Sequence, residues 1–166
     1  MQEDLRYKIE AHLKILVRNL GITSVWLLQY DFEKHVSLAT AHYIDFTANL
    51  LEQTPDNGEE YPEVDPNFIA WLQSKVQVGY TLHVDELDRS DPDWLDYVEK
   101  GLESVSYMPI FVDNKPWGYV ECWESRKKRI FTEEDFDIVK ATADQISHTM
   151  MTHQQSSDIS QDGLLQ

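Results

Sequence analysis

The stretch Arg129-Ile130-Phe131-Thr132-Glu133-Glu134-Asp135-Phe136 decides how the chain is read. Thr132 followed three residues on by Asp135 has the form of a capping box, in which hydroxyl and carboxylate each accept from a free amide at a helix start. Phe131 and Phe136 stand where a hydrophobic staple places its two apolar residues, and the three acidic side chains complement the positive end of the helix dipole. A helix is therefore predicted from this point, with Phe136, Val139, Ala143, Ile146 and Met150 on its buried face. After Gln154 the sequence SSDISQDGLLQ loses that spacing. Residues 155–166 are expected to be a flexible tail or linker behind one domain, residues 1–154.

Upstream of this start, Ser104 to Phe111 and Trp117 to Trp123 are β-branched and aromatic runs around Asp113-Asn114-Lys115-Pro116, which predicts a hairpin. At the other end of the chain Leu5, Ile9, Leu13, Leu16 and Leu20 share one helical face, and Gly21 supplies a stop. Ser24 to Tyr30 and His35 to Tyr43 form a second hairpin pair across Asp31-Phe32-Glu33-Lys34. Residues 45–101 read as a loose excursion from a sheet. They contain a loop at Pro55-Asp56-Asn57-Gly58, short helices opening at Asp65-Pro66 and Asp91-Pro92, and a strand over Gly79 to Val84. Helix, two strands, excursion, strands and helix describe an α+β layout with an antiparallel sheet.

Composition narrows the function. The 166 residues carry 14 Lys and Arg against 30 Asp and Glu, a formal net charge of −16. Such a field opposes nucleic acid and anionic membrane surfaces, so no nucleic-acid and no membrane partner is expected. No apolar run is long enough to span a bilayer, and a lone cysteine, Cys122, fits a reducing, cytoplasmic compartment. No catalytic Ser/His/Asp or Cys/His spacing, phosphate-cradling glycine loop or HExxH stands in the sequence, so no enzyme activity is expected.

The stretches Ser104 to Phe111, Trp117-Gly-Tyr-Val-Glu-Cys-Trp123, Arg129 to Phe136 and Ala143-Asp-Gln-Ile146 resemble the closing half of a GAF domain. Leu20 to Trp26 and the Asp85 to Trp94 stretch agree with the first half more loosely. The resemblance spans residues 5–153. It implies a GAF-like (PAS/profilin-like) fold: a five- or six-stranded antiparallel sheet, both terminal helices on one face, and a pocket on the other roofed by residues 45–101. It also implies a sensory or regulatory module of a larger signalling protein, with a small-molecule ligand and a homodimer formed through the terminal helices. Ile15, Val17, Ile138 and Met151 lie off the main stripes of those helices and are the candidate dimer surface. A degenerate domain that only dimerises or holds a protein partner is the alternative.

Neither bilin nor haem is expected. Bilin attachment in this family uses a pocket cysteine, whereas Cys122 alternates with Gly118 and Val120 as ordinary strand packing. His42 and His83 read as hydrogen-bonded structural residues rather than haem or metal ligands. The cyclic-nucleotide members resemble this chain at Asn114-Lys115 and Phe131 to Asp135, but Phe136 stands where their pattern has Glu. Asp85 to Asp93 lacks the central Gly and closing Glu of a calcium loop, and Arg126-Lys127-Lys128-Arg129 reads as a solvated basic turn. Residues 45–101 hold 14 acidic and 3 basic side chains, which favours a neutral, zwitterionic or cationic ligand over an anion.

The candidate ligand-binding residues are Tyr43, Phe68, Trp71, Tyr80, His83, Trp94, Tyr97 and Tyr107. Phe68 with Trp71, and Trp94 with Tyr97, each share a helical face that can turn toward the sheet. Rings of this kind either line a cavity or fill the core. Truncating Trp71 or Tyr107 separates the two, since it removes binding from a folded domain in the first case and the fold itself in the second.

Overall fold

Thr132 caps the last helix as its sequence demands. In the computed structural model of the protein, which describes residues 1–45 and 57–164, the Asp135 amide donates to Thr132 Oγ1 at 3.2 Å and the Thr132 amide to Asp135 Oδ2 at 3.0 Å. The Phe131 and Phe136 rings close the staple at 6.2 Å. The element order is α1 (Glu3–Leu20), β1 (Ser24–Asp31), β2 (Val36–Ile44), β3 (Glu60–Pro62), α2 (Pro66–Gln73), β4 (Tyr80–His83), α3 (Trp94–Glu99), β5 (Ser104–Val112), β6 (Lys115–Glu124) and α4 (Glu133–Leu164). The six strands form one antiparallel sheet in the order β3-β2-β1-β6-β5-β4.

The helices α1 and α4 share one face of this sheet. Ile9, Leu13, Leu16 and Leu20 meet Val139, Ala143, Ile146 and Met150 over Val25, Leu27, Met108, Val120 and Cys122. Alternation along each strand sends the neighbouring residues Trp26, Leu28, Val105, Tyr107, Tyr119 and Trp123 to the opposite face, beneath α2 and α3. Gly21 ends α1 at φ +63°, its amide bonded to Val17 O at 2.9 Å, which is the left-handed cap that glycine adopts without strain.

Several elements depart from the sequence reading. The β5–β6 hairpin turns on Asp113 and Asn114 alone, both at positive φ (51° and 58°), so Lys115 and Pro116 already belong to β6. Two consecutive left-handed residues match the twist of paired strands, and Asp and Asn tolerate them. Asp65 caps α2 by accepting from the Asn67 amide at 2.9 Å. In contrast, Asp91-Pro92 forms a turn, with Asp91 accepting from the Asp93 amide, and α3 begins only at Trp94. The strand β3 is three residues long and pairs with Val36 to Leu38. Of the expected loop at 55–58, Pro55 and Asp56 lie outside the described residues, and Gly58 sits at φ +97°.

The α4 helix continues through 155–164, where a tail was expected, because loss of an apolar stripe there leaves a solvated helix and not an unfolded one. The basic run is a largely exposed connection, as expected, and three of its four charges also bond the fold. Arg126 bonds Glu124 Oε1 at 3.0 Å through its amide and Gly21 O at 2.8 Å, Lys128 clasps Asp85 and Glu86, and Arg129 bonds Leu20 O at 2.6 Å. Arg126 and Arg129 thus tie the end of α1 to the connection between β6 and α4, and Lys128 ties that connection to residues 85–86.

The backbones of β1 and β6 approach closely at Gly118. A Cβ there would fall 2.0 Å from Leu28 O and 2.9 Å from Gln29 Cα, next to the β1–β2 register shift at Leu27/Leu28. Backbone on both sides leaves nothing flexible to yield. Gly118→Ala is therefore expected to cost at least the upper part of the roughly 1–3 kcal/mol typical of overpacking, read as a lowered thermal midpoint. An unchanged melt would contradict this packing.

Candidate functional site

On the face away from α1 and α4, a cavity opens over β1, β2 and β6. Its floor is Trp26 and Leu28 of β1, Ser37 and Ala39 of β2, and Tyr119, Glu121 and Trp123 of β6. Tyr61, Pro62 and Glu63 form one wall, and Asp93, Asp96, Tyr97 and Lys100 form the other. The last four are spaced three or four apart along α3 and its flanks, which places them on one helical side. The cavity has a volume of about 70 Å³. That is room for about two waters.

Glu121 is the chemically distinctive residue of the floor. It is only 6% exposed on a central strand, and its Oε1 accepts from Trp123 Nε1 at 3.0 Å. Burial pushes its carboxyl up to about 7, opposed by the Trp123 bond and by the positive charge of Lys100. Burial and the neighbouring acidic charges also raise Glu63 and Asp93. Lys100 reaches across the cavity. Its Nζ lies 2.7 Å from Asp96 Oδ2, 5.4 Å from the Tyr61 ring centre and 5.3 Å from that of Trp123. Tyr119 spans the floor to bond Ser37 Oγ at 2.8 Å.

Of the residues expected to line a site, Tyr97 does so, with its hydroxyl bonded to that of Tyr107. Phe68, Trp71, Tyr80 and Tyr107 are brought together, but as packed core beside the cavity. Tyr80 stacks on Tyr107 at 4.8 Å, Trp71 meets Tyr80 edge-on at 4.8 Å, and Phe68 meets Tyr119 at 5.1 Å. His83 bonds Ser104 Oγ at 2.9 Å away from the cavity, and Trp94 lies against Arg89. Tyr43 stands on the opposite side of the sheet, packed against the α1 and α4 core beneath Lys14. His42 stacks on Trp26 at 4.6 Å and bonds Asn57. Cys122 is fully buried on the helix side, and burial pushes its thiol up to about 12.

Glu121, Lys100, Asp96 and Tyr61 line the cavity and were not among the residues expected there from the sequence. A signal existed for two of them. In Tyr119-Val-Glu121-Cys-Trp123 the acid shares a strand face with two rings, and Lys100 falls seven residues after Asp93 on the side of α3 that also carries Tyr97.

Among the described residues no three His, Cys, Asp or Glu side chains converge on a metal position, and no helix is long and apolar enough to cross a membrane. Comparison with curated protein sequences finds no match. Among solved structures, the GAF domain of PixJ from Thermosynechococcus elongatus, in its blue-light absorbing form, superposes with a TM-score of 0.73 at 11% identity, covering 95% of this chain and 94% of its own. A phycoerythrobilin-bound GAF domain from a cyanobacterial phytochrome gives 0.72 at 18% identity, covering 89% and 86%. A phycocyanobilin-bound GAF domain, also from a cyanobacterial phytochrome, gives 0.69 at 19%, covering 90% and 87%. These likenesses are of fold. The sequence profile of the GAF domain matches residues 9–150, most of the chain, and the chain belongs to the GAF domain family.

Proposed function

We propose that the chain is a cytoplasmic sensory or regulatory module without catalytic activity of its own, which holds a small neutral, zwitterionic or cationic molecule over β1, β2 and β6 and signals through α1 and α4. The observation that carries this reading is the cavity itself, with a buried carboxylate among the tryptophan and tyrosine rings of its floor. Trp26, Glu121 and Trp123 face the cavity, while Val25, Val120 and Cys122 on the same strands touch the helices. A ligand that moves the first set presses on the second through one sheet. Native mass spectrometry of the purified chain tests for the ligand. Retention of a small molecule that is lost on Glu121→Gln supports the reading, and an unaltered retained mass in that variant contradicts this placement.

A bilin does not fit this site. The one cysteine points to the helix layer, behind the floor, and the free space suits a few heavy atoms rather than a linear tetrapyrrole. The protein is expected to show no visible bilin or haem absorbance as isolated, and a Soret band or a zinc-fluorescent adduct on a gel would contradict that.

The terminal helices favour self-association. Ile15 is 56% exposed, Ile138 37%, Tyr7 77% and Ile159 73%, whereas Val17, expected among them, is buried. Sedimentation is expected to show a dimer that Ile15→Glu with Ile138→Glu converts to a folded monomer. A concentration-independent wild-type monomer would refute it. Dense packing of Phe68, Trp71, Tyr80 and Tyr107 favours one second reading, a ligand-free dimerisation or interaction module.

A further inference from the structure

The cavity is built with more negative charge than it balances. Glu63, Asp93, Asp96 and Glu121 line it, and Lys100 supplies the one ammonium among the lining side chains. Lys100 is held in an unusual way for a lysine. Its side chain is 11% exposed, and its charged end rests between the Tyr61 and Trp123 rings, with Asp96 as counter-ion. Two ring faces and a carboxylate around one cation is the arrangement by which proteins bind organic ammonium groups.

Glu121 adds an independent sign. It is more than nine-tenths buried and faces the cavity, and one carboxylate oxygen takes the Trp123 indole N–H. Its other oxygen accepts no hydrogen bond from any described residue and is open to the cavity. A donor brought into the cavity by a ligand can reach that oxygen, and a hydrogen bond with an ionised partner is stronger than one between neutral groups.

Resting on the reading of the cavity as a ligand site, we infer that it recognises an ammonium-bearing small molecule, and that Lys100 is a tethered competitor occupying the ammonium's place when the ligand is absent. A divalent metal ion is a poor alternative occupant. Hard cations need six or more oxygens, and most of this lining is aromatic or aliphatic. A bound anion would meet the four carboxylates directly.

Calorimetric titration of choline and of its neutral isostere, 3,3-dimethylbutan-1-ol, into wild type, Lys100→Met and Glu121→Gln tests this. Choline is expected to bind Lys100→Met at least tenfold more tightly than wild type, and at least tenfold more tightly than the alcohol does. Glu121→Gln, which retains the acceptor for Trp123, is expected to bind choline about tenfold more weakly than wild type. Equal binding of alcohol and choline would overturn the ammonium inference while leaving the cavity a ligand site. Binding of neither compound to any of the three proteins would overturn both. If Lys100→Met does not fold, the comparison in wild type and Glu121→Gln decides alone. A choline preference lost in Glu121→Gln supports the inference, and no preference overturns it.

Discussion

Glu121→Gln is expected to raise the thermal midpoint at pH 8 by roughly 5–10 °C, the equivalent of about 3 kcal/mol for a chain of this size. The unfolded chain loses the Glu121 proton near 4.5, whereas the folded chain holds it to about 7, because burial disfavours the carboxylate more than Lys100 and Trp123 stabilise it. Below 4.5 both states carry the proton and the residue costs nothing. Between 4.5 and 7 only the unfolded state ionises, so stability falls as pH rises, and above 7 the loss is complete. Gln cannot ionise and keeps the carbonyl that accepts from Trp123 Nε1. The variant is therefore expected to match wild type near pH 4.5 and to exceed it increasingly up to pH 8. Parallel stability curves for the two proteins, or a less stable variant at pH 8, would contradict the buried, undercompensated carboxylate. A residue retained against such a cost is more readily understood in a binding site than in a scaffold.

Tyr107→Ala is expected to lower stability by about 3–5 kcal/mol, shifting the midpoint by roughly 10 °C or more. The ring is 6% exposed, stacks on Tyr80, meets Phe68 and Trp71, and bonds the Tyr97 hydroxyl. Truncation opens a cavity and leaves Tyr97 without its partner. Tyr107→Phe, which keeps the ring, is expected to lose only about 1–2 kcal/mol for the hydroxyl pair. A near-normal melt for Tyr107→Ala would mean that Tyr107 stands at a ligand surface rather than in the core.

The frame of the fold was legible because its signals are local. Thr132 and Asp135 are three residues apart, Gly21 ends a stripe of regular leucines, and each hairpin joins runs that are neighbours in sequence. Nothing comparable announces β3, three residues within 45–101 that pair with β2, nor the solvated helical turns beyond Gln154. For the cavity, the sequence expectation and the structure differ in which rings line it. Aromatic side chains in 45–101 were expected over the sheet, and they are, but Phe68, Trp71 and Tyr80 pack against Tyr107 while the open space lies beyond them over Trp26 and Trp123. Which rings fill and which line depends on where α2 and α3 settle across β5 and β6, a long-range matter that spacing within either helix does not encode. Tyr43 shows the same limit of local pattern, since the register shift between Leu27 and Leu28 governs which side of β2 faces the helices.

The most direct test of the ligand site uses the five tryptophan indoles as reporters. In ¹H–¹⁵N spectra recorded while small amines, amino acids and neutral amides are added, the Nε1–H signals of Trp26 and Trp123 are expected to shift together, since both rings line the cavity and Trp123 donates to Glu121. Trp71, bonded to Val78 O, Trp94 against Arg89, and Trp117 on the helix side are expected to stay in place. Shifts at Trp71 or Trp117 with Trp26 and Trp123 unmoved would contradict the account, as would silence from all five across the series.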